Sequence, residues 1–93
     1  MTLKIKLSPE ATRDRERLAD FLVEKNPTAA LRSIEAIVKA IAGLSRFPFK
    51  GSEISVGRRE LKVPFGTAGY VVQYRIEPDA IFVARIFHMR EDR

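Results

Sequence analysis

Four stretches of the chain carry the hydrophobic patterning of β-strands. They are residues 2–7, 58–65, 70–76 and 80–87. In the first, leucine and isoleucine alternate with lysine, which is typical of a strand with one face in water. Residues 77–80, Glu-Pro-Asp-Ala, separate the last two stretches. Because Pro presets one backbone dihedral and Asp can bond its own backbone, this segment predicts the turn of a β-hairpin.

A first helix is predicted between the first two of these strands. Ser8 is a preferred N-cap, Pro9 suits the first helical position, and the acidic Glu10 is favoured by the helix dipole. The helix is expected to run from about Pro9 to Lys25. Its apolar positions are Ala11, Leu18, Phe21 and Leu22. The charged residues between them, Asp14 included, are interpreted as a solvated face.

A second helix follows almost at once. Asn26-Pro27-Thr28 repeats the start signal, and the helix is expected to reach about Leu44. Its core-facing band is formed by Ala30, Ile34, Ile37, Ile41 and Leu44, widened by Leu31 and Val38. Because the link between the helices is so short, they should fold back as an antiparallel hairpin.

An irregular segment is expected from the end of this helix to about Gly57. Phe47 and Phe49 in this segment are predicted to close the end of the core. The alternative is that this aromatic pair, beside Arg46 and Lys50, stacks on nucleobases.

These elements predict one α+β domain over residues 1–93, in the order β-α-α-β-β-β. A two-helix antiparallel hairpin should pack on one face of a three- to four-stranded antiparallel sheet, with the N-terminal strand at an edge. The opposite face would then be uncovered. Such a small domain generally uses an open face or edge to contact a ligand, a nucleic acid or a partner chain.

Charge and composition narrow the partners. The net charge of +5 and the pI near 10 favour an acidic partner, although a basic surface also serves solubility alone. The chain has no Cys and one His, which excludes disulfides and thiolate sites and makes a metal cluster improbable. We therefore expect no cofactor. No stretch resembles a signal peptide or a membrane span, so a cytoplasmic location without membrane contact is expected.

The succession of these segments resembles the RelE/ParE superfamily of type II toxin-antitoxin toxins. The resemblance covers nearly the whole chain. It rests on the first strand followed by Ser8-Pro9-Glu10-Ala11, the Leu44-Ser45-Arg46-Phe47-Pro48 exit from the helices, and the segments RRELKVPF, GYVVQYRIE and IFVARIFHMRED. It implies a small basic toxin in a hetero-oligomer with an acidic antitoxin, ParD-like in the ParE branch. RelE-like members cleave mRNA on the ribosome, whereas ParE-like members block DNA gyrase.

Candidate site residues lie on the C-terminal strands and the tail. They are Arg59, Lys62, Tyr70, Tyr74, Arg85, His88, Arg90 and Arg93, as contacts for target or antitoxin. In a nuclease, His88 could act as the base and Arg90 could hold phosphate, and a tyrosine could stack on a base. The alternative for His88 is that it closes the strand end with a hydrogen bond.

The choice between the RelE-like and the ParE-like branch rests on Val71. RelE-like nucleases usually carry Arg directly after the aromatic that opens this strand, and here Val71 follows Tyr70. The resemblance therefore favours a ParE-like gyrase inhibitor neutralised by a ParD-like antitoxin. The alternative is a ribosome-dependent mRNA endoribonuclease that uses His88 and Arg90. A third possibility is an interaction module without toxicity.

Overall fold

The computed structural model describes residues 2–91, with side chains outside 21–25. The elements are β1 (Lys4–Leu7), α1 (Pro9–Lys25), α2 (Pro27–Gly43), β2 (Ser52–Ser55), β3 (Arg58–Phe65), β4 (Ala68–Ile76) and β5 (Ala80–His88). Both helices pack on one face of a five-stranded sheet ordered β1-β5-β4-β3-β2. The predicted α+β fold with a helical hairpin on one sheet face is confirmed. Phe21 and Leu22, two expected core positions, lie outside the described side chains.

The sheet differs from the expected one in strand count and in one pairing. β3, β4 and β5 form the predicted antiparallel meander, and β1 lies at an edge as expected, but it pairs with β5 in parallel. The additional strand is β2, inside the stretch expected to be irregular. All four of its residues are exposed, so it lacks the hydrophobic alternation by which a strand is recognised.

Local capping explains why the helices begin where the sequence predicts. The Oγ atom of Ser8 accepts a hydrogen bond from the Ala11 N–H at 2.9 Å, and Oδ1 of Asn26 accepts one from the Ala29 N–H at 3.1 Å. Each bond satisfies a backbone donor that the first turn leaves free.

The hydrophobic core lies between the hairpin and the sheet. Its helical part includes Ala11, Leu18, Ile37, Ile41 and Leu44, all predicted core positions. The band on α2 is narrower than predicted, because α2 packs against α1 and β3 along one side only. Leu31 and Val38 are consequently 64% and 50% exposed.

A β-bulge in β5 decides which side chains face the core. Gln73 pairs with Arg85, but the next residue, Tyr74, pairs with Val83, so Ala84 is an extra residue in β5. The bulge reverses the alternation beyond it. Strict alternation along β5 would put Arg85 on the same face as Val83, but the bulge puts the two side chains on opposite faces.

Candidate functional site

The face of the sheet turned away from the helices is rich in cations. Strand alternation and register place six basic residues on it: Lys4, Lys6, Arg58, Lys62, Arg75 and Arg85. Within residues 2–91, no helix covers this face. We call it the open face.

Arginine side chains shield the apolar residues of the open face. The guanidinium carbon of Arg75 lies 4.6 Å from the centre of the Phe82 ring, and that of Arg85 lies 4.6 Å from the centre of the Phe87 ring. Stacking of this kind is a favourable cation–π contact. The open face thus presents guanidinium groups lying on aromatic rings.

Asp14 connects α1 to the far end of β5. Its carboxylate accepts hydrogen bonds from Nε and Nη2 of Arg85 at 2.7 and 3.0 Å, and from the Ile86 N–H at 2.9 Å. β1 pairs with β5 only as far as Val83, so beyond that point Asp14 supplies an acceptor to the strand edge. Ser8 assists by donating its hydroxyl to the Ala84 carbonyl at 2.6 Å.

The same carboxylate begins a chain of alternating charges. Arg17 donates to Asp14 at 3.4 Å and to Glu91 at 2.5 Å, so that Arg85, Asp14, Arg17 and Glu91 link β5, α1 and the tail. Arg17 lies one helical turn from Asp14. Asp14 is 4% exposed, so the prediction that it belongs to a solvated face is wrong. Its helical spacing from Arg17 was the only sequence signal for this role.

Opposing effects act on the ionisation of Asp14. Burial alone would raise the pKa of its carboxyl, but the hydrogen bonds from Arg85 and the Ile86 N–H, with the charge of Arg85, hold that pKa below its ordinary value. The hydrogen bond to Asp14 in turn raises the pKa of the Arg85 guanidinium. Both groups therefore stay charged at neutral pH.

His88 ends β5 and is held by two neighbours. Its ring meets the Tyr70 ring edge-on at 5.4 Å, and its Nδ1 accepts a hydrogen bond from the Arg90 N–H at 3.2 Å. The hydrogen bond expected to close the strand end is thus present. Arg90, two residues beyond the end of β5, is exposed, while Arg93 lies outside the described residues.

Two predicted aromatic contacts are wrong. Tyr70 and Tyr74 are 2% and 1% exposed, because both belong to the core side of β4. Neither ring can stack on a base. The Tyr74 hydroxyl is used internally, since it donates to the Pro48 carbonyl at 2.7 Å and accepts from the Gly51 N–H at 3.0 Å.

Arg59 and the loop it holds also differ from expectation. Its guanidinium donates from Nε and Nη2 to the Gly51 carbonyl at 3.0 and 2.6 Å, which makes it a loop anchor. Phe47 and Phe49 do not close the core: they are 66% and 70% exposed. Polar groups beneath the loop anchor it to the rest of the chain. The two rings are therefore not needed as anchors and point into solvent.

A groove runs between β1 and α2 on the hairpin side. It encloses about 220 Å³ and is lined by Ile5, Leu7, Arg15, Ile37, Val38, Ile41 and Ala42. The lining is aliphatic apart from one arginine. We call it the aliphatic groove.

The predicted residues therefore do not form one cluster of free side chains. Lys62 and Arg90 are exposed, Arg85 is bound to Asp14, and Arg59 is bound to backbone carbonyls. Among the described side chains, those of residues 2–20 and 26–91, no group of three or more acidic or His residues is placed to hold a metal ion. None of the helices in that part of the chain is long and apolar enough to cross a bilayer.

Comparison with known proteins identifies the family. The sequence model of the family described as "ParE toxin of type II toxin-antitoxin system, parDE" matches residues 5–93. This chain belongs to the ParE toxin family. Two relatives from Caulobacter vibrioides are named as RelE toxins. Toxin RelE3 is 42% identical over 89 residues, covering 96% of this chain and 97% of the relative, and Toxin RelE1 is 37% identical over the full length of both.

Solved structures agree with this ParE-family fold. A chain from the chromosomal ParDE toxin-antitoxin system of P. aeruginosa superposes with a TM-score of 0.80 at 20% identity, covering 96% of this chain and 98% of that one. A chain from the RelBE2 toxin-antitoxin complex of Mycobacterium tuberculosis superposes with a TM-score of 0.67 at 24% identity, covering 95% and 99%. The family model and the two sequence relatives together show that the chain is a type II toxin of the RelE/ParE superfamily.

Proposed function

We propose that this ParE-family toxin arrests growth by binding DNA gyrase in the cytoplasm, and that an acidic, ParD-like antitoxin neutralises it. The observation that carries the proposal is the state of the candidate catalytic groups. Cleavage of RNA without a metal needs a base, an acid and cations around one scissile phosphate. Here Nδ1 of His88 is already occupied by the Arg90 N–H. Arg59 and Arg85 are bound within the chain, and both tyrosines are buried. Such a surface is suited to binding rather than to cleavage.

The open face supports an anionic or acidic contact region on the target. Six basic side chains on one face of the sheet raise the local concentration of an acidic partner and speed the encounter. Arg75 and Arg85 are each held over an aromatic ring, so they lose less side-chain entropy on binding than free arginines would.

The second candidate is a ribosome-dependent mRNA endoribonuclease. The names of the two Caulobacter relatives, both RelE toxins, favour it. His88 and the exposed Arg90 would then supply the base and a phosphate contact. Because the Arg90 N–H donates to Nδ1, the neutral imidazole carries its proton on Nε2, so His88 would act as a base only after that hydrogen bond is broken.

The antitoxin is proposed to use the aliphatic groove. An amphipathic helix places apolar side chains at one-turn intervals, which matches a groove lined by residues of α2 and β1. Arg15 at the groove would meet an acidic side chain of that helix. An extended segment could continue along β1, whose outer edge is unpaired in the sheet order.

Expression without antitoxin tests the proposed target. We expect DNA synthesis, followed by thymidine incorporation, to stop before protein synthesis, and His88→Ala to stay toxic. Early loss of amino-acid incorporation with cut transcripts, abolished by His88→Ala, would establish the nuclease instead. Normal growth with folded toxin present would favour the interaction module.

A further inference from the structure

The loop after α2 exposes two aromatic rings that the proposed function does not use. Phe47 and Phe49 are 66% and 70% exposed, and with Arg46, Pro48 and Lys50 they line an open hollow of about 550 Å³. We call it the aromatic hollow. Large apolar side chains left in water on a small domain commonly mark a binding site.

The loop is held in place from below. The Tyr74 hydroxyl bonds both the Pro48 carbonyl and the Gly51 N–H, and Arg59 donates to the carbonyls of Phe49 and Gly51. These partners lie in or next to the sheet. The rings are therefore presented on a fixed base, and a ligand would not have to order the loop on binding.

The charge around the aromatic hollow is positive. Arg46 and Lys50 flank the two rings and are exposed, and the Arg59 guanidinium lies 5.2 Å from the centre of the Phe49 ring. Glu53 approaches Arg59 only at 4.0 Å. A ligand for this surface should combine flat rings with negative charge.

We propose that the aromatic hollow binds single-stranded nucleic acid, with bases stacked on Phe47 and Phe49 and phosphates on Arg46 and Lys50. Aromatic rings alternating with cations are what sequence-tolerant single-strand binding requires, because every base has a flat face and every nucleotide a charge. An apolar protein helix would instead fit the aliphatic groove, where the side chains are branched and contiguous.

Binding to fluorescent oligonucleotides of about 15 nucleotides, long enough for a single-strand site, tests the proposal without gyrase or ribosome present. The purified chain is titrated with oligo-dT, oligo-rU, a DNA duplex and poly-glutamate by anisotropy. The Phe47→Ala/Phe49→Ala variant removes stacking, and Phe47→Leu/Phe49→Leu keeps apolar surface without flat rings. Leu31→Ala/Val56→Ala is the control, since it removes exposed apolar side chains that lie outside both the aromatic hollow and the aliphatic groove.

The proposal expects single strands to bind more tightly than the duplex. Each stacked ring contributes on the order of tenfold to affinity, so the double alanine variant should lose about a hundredfold and the leucine variant nearly as much. Lys50→Ala should reduce the salt slope by about 0.7 if Lys50 contacts one phosphate. The Leu31/Val56 control should bind normally, and a preference for dT or rU names the source of the strand.

Several results would overturn it. These are no binding to either single strand, equal binding of the duplex, unchanged affinity in the double alanine variant, or full affinity in the leucine variant. Displacement by poly-glutamate that depends on both rings would assign the surface to an acidic protein. The urea midpoint of each variant is measured alongside, and because both rings are exposed it should match the wild type.

Discussion

Removing the Asp14 carboxylate should destabilise the fold far more than any other acidic substitution on α1. Asp14→Ala deletes a two-point hydrogen bond to Arg85 and leaves the buried Ile86 N–H without an acceptor. Asp14→Asn keeps an oxygen that can accept from Ile86 but loses the charge. The two variants therefore separate the ion pair from the backbone bond.

The size of the effect follows from these contacts. A hydrogen bond to a charged group contributes about 1.5–3 kcal/mol, and an unsatisfied buried donor costs about 1–3 kcal/mol. The Arg85 side chain is 41% exposed, so water replaces part of its bond and the lower ends of these ranges apply. We expect losses of about 3 kcal/mol for Asp14→Ala and about 1.5 kcal/mol for Asp14→Asn. For a domain of this size, 1 kcal/mol lowers Tm by about 4–8 °C.

Urea unfolding followed by circular dichroism measures both variants. Glu16→Gln is the matched control, because Glu16 is an exposed carboxylate on the same helix and its replacement should change stability by less than about 0.5 kcal/mol. A double-mutant cycle with Arg85→Met isolates the pair. If Asp14→Ala unfolded at the same urea concentration as the Glu16→Gln control, the role assigned to Asp14 would be refuted.

The pH dependence of the stability of these variants tests the same ion pair. The pKa of Asp14 is lowered in the folded chain, so its stabilisation is present above the unfolded value, about 3.9. It is lost as pH falls through the folded pKa. The stability gap between wild type and Asp14→Asn should therefore be constant from neutral pH down to about pH 5 and close in more acidic solution. A gap that widens in acid would contradict the ion pair.

Three further substitutions test the fold and the antitoxin surface. Ser8→Ala removes the N-cap and a strand contact, and should cost about 1–2 kcal/mol in urea unfolding; unchanged stability would contradict the capping. Gly51→Ala would place a Cβ 2.7 Å from the Tyr74 hydroxyl and should cost about 1–3 kcal/mol. Gly43→Ala, where an added Cβ meets nothing within 4 Å, should by comparison be neutral or stabilising in the same assay. Val38→Glu should weaken antitoxin binding about tenfold or more by calorimetry, whereas Val56→Glu, at a site 98% exposed and outside the aliphatic groove, should not.

Local signals account for the parts of the fold that were predicted well. Ser8-Pro9 and Asn26-Pro27 fix the helix starts through bonds within three residues, and Gly43 ends the second helix one residue before the predicted Leu44. The turn at 77–80 is likewise local, with the Glu77 N–H donating to the Ala80 carbonyl at 2.8 Å.

Long-range contacts account for what was missed. The bulge at Ala84 arises from the register between β4 and β5, which no period within one strand reveals. Asp14 is charged among charged neighbours, so only its distant partners, Arg85 and the Ile86 N–H, show that it is buried. β2 is held by pairing with β3 rather than by its own exposed side chains.

Aromatic residues were the least predictable part of the candidate site. Tyr70 and Tyr74 follow the alternation of β4 into the core, whereas Phe47 and Phe49 occupy a loop whose direction depends on the Tyr74 hydroxyl. In the sequence, an aromatic residue looks the same whether its ring is buried under a strand or exposed on a loop. Only the packing shows which rings are free to meet a partner.

Inhibition of DNA gyrase by the purified chain is the most direct test of toxicity through binding. Supercoiling of relaxed plasmid is followed during titration with wild type and His88→Ala, beside cleavage of ribosome-bound message by the same preparations. The account predicts that both proteins inhibit supercoiling and leave the message intact. Message cut only by the wild type, with supercoiling unaffected, would contradict it.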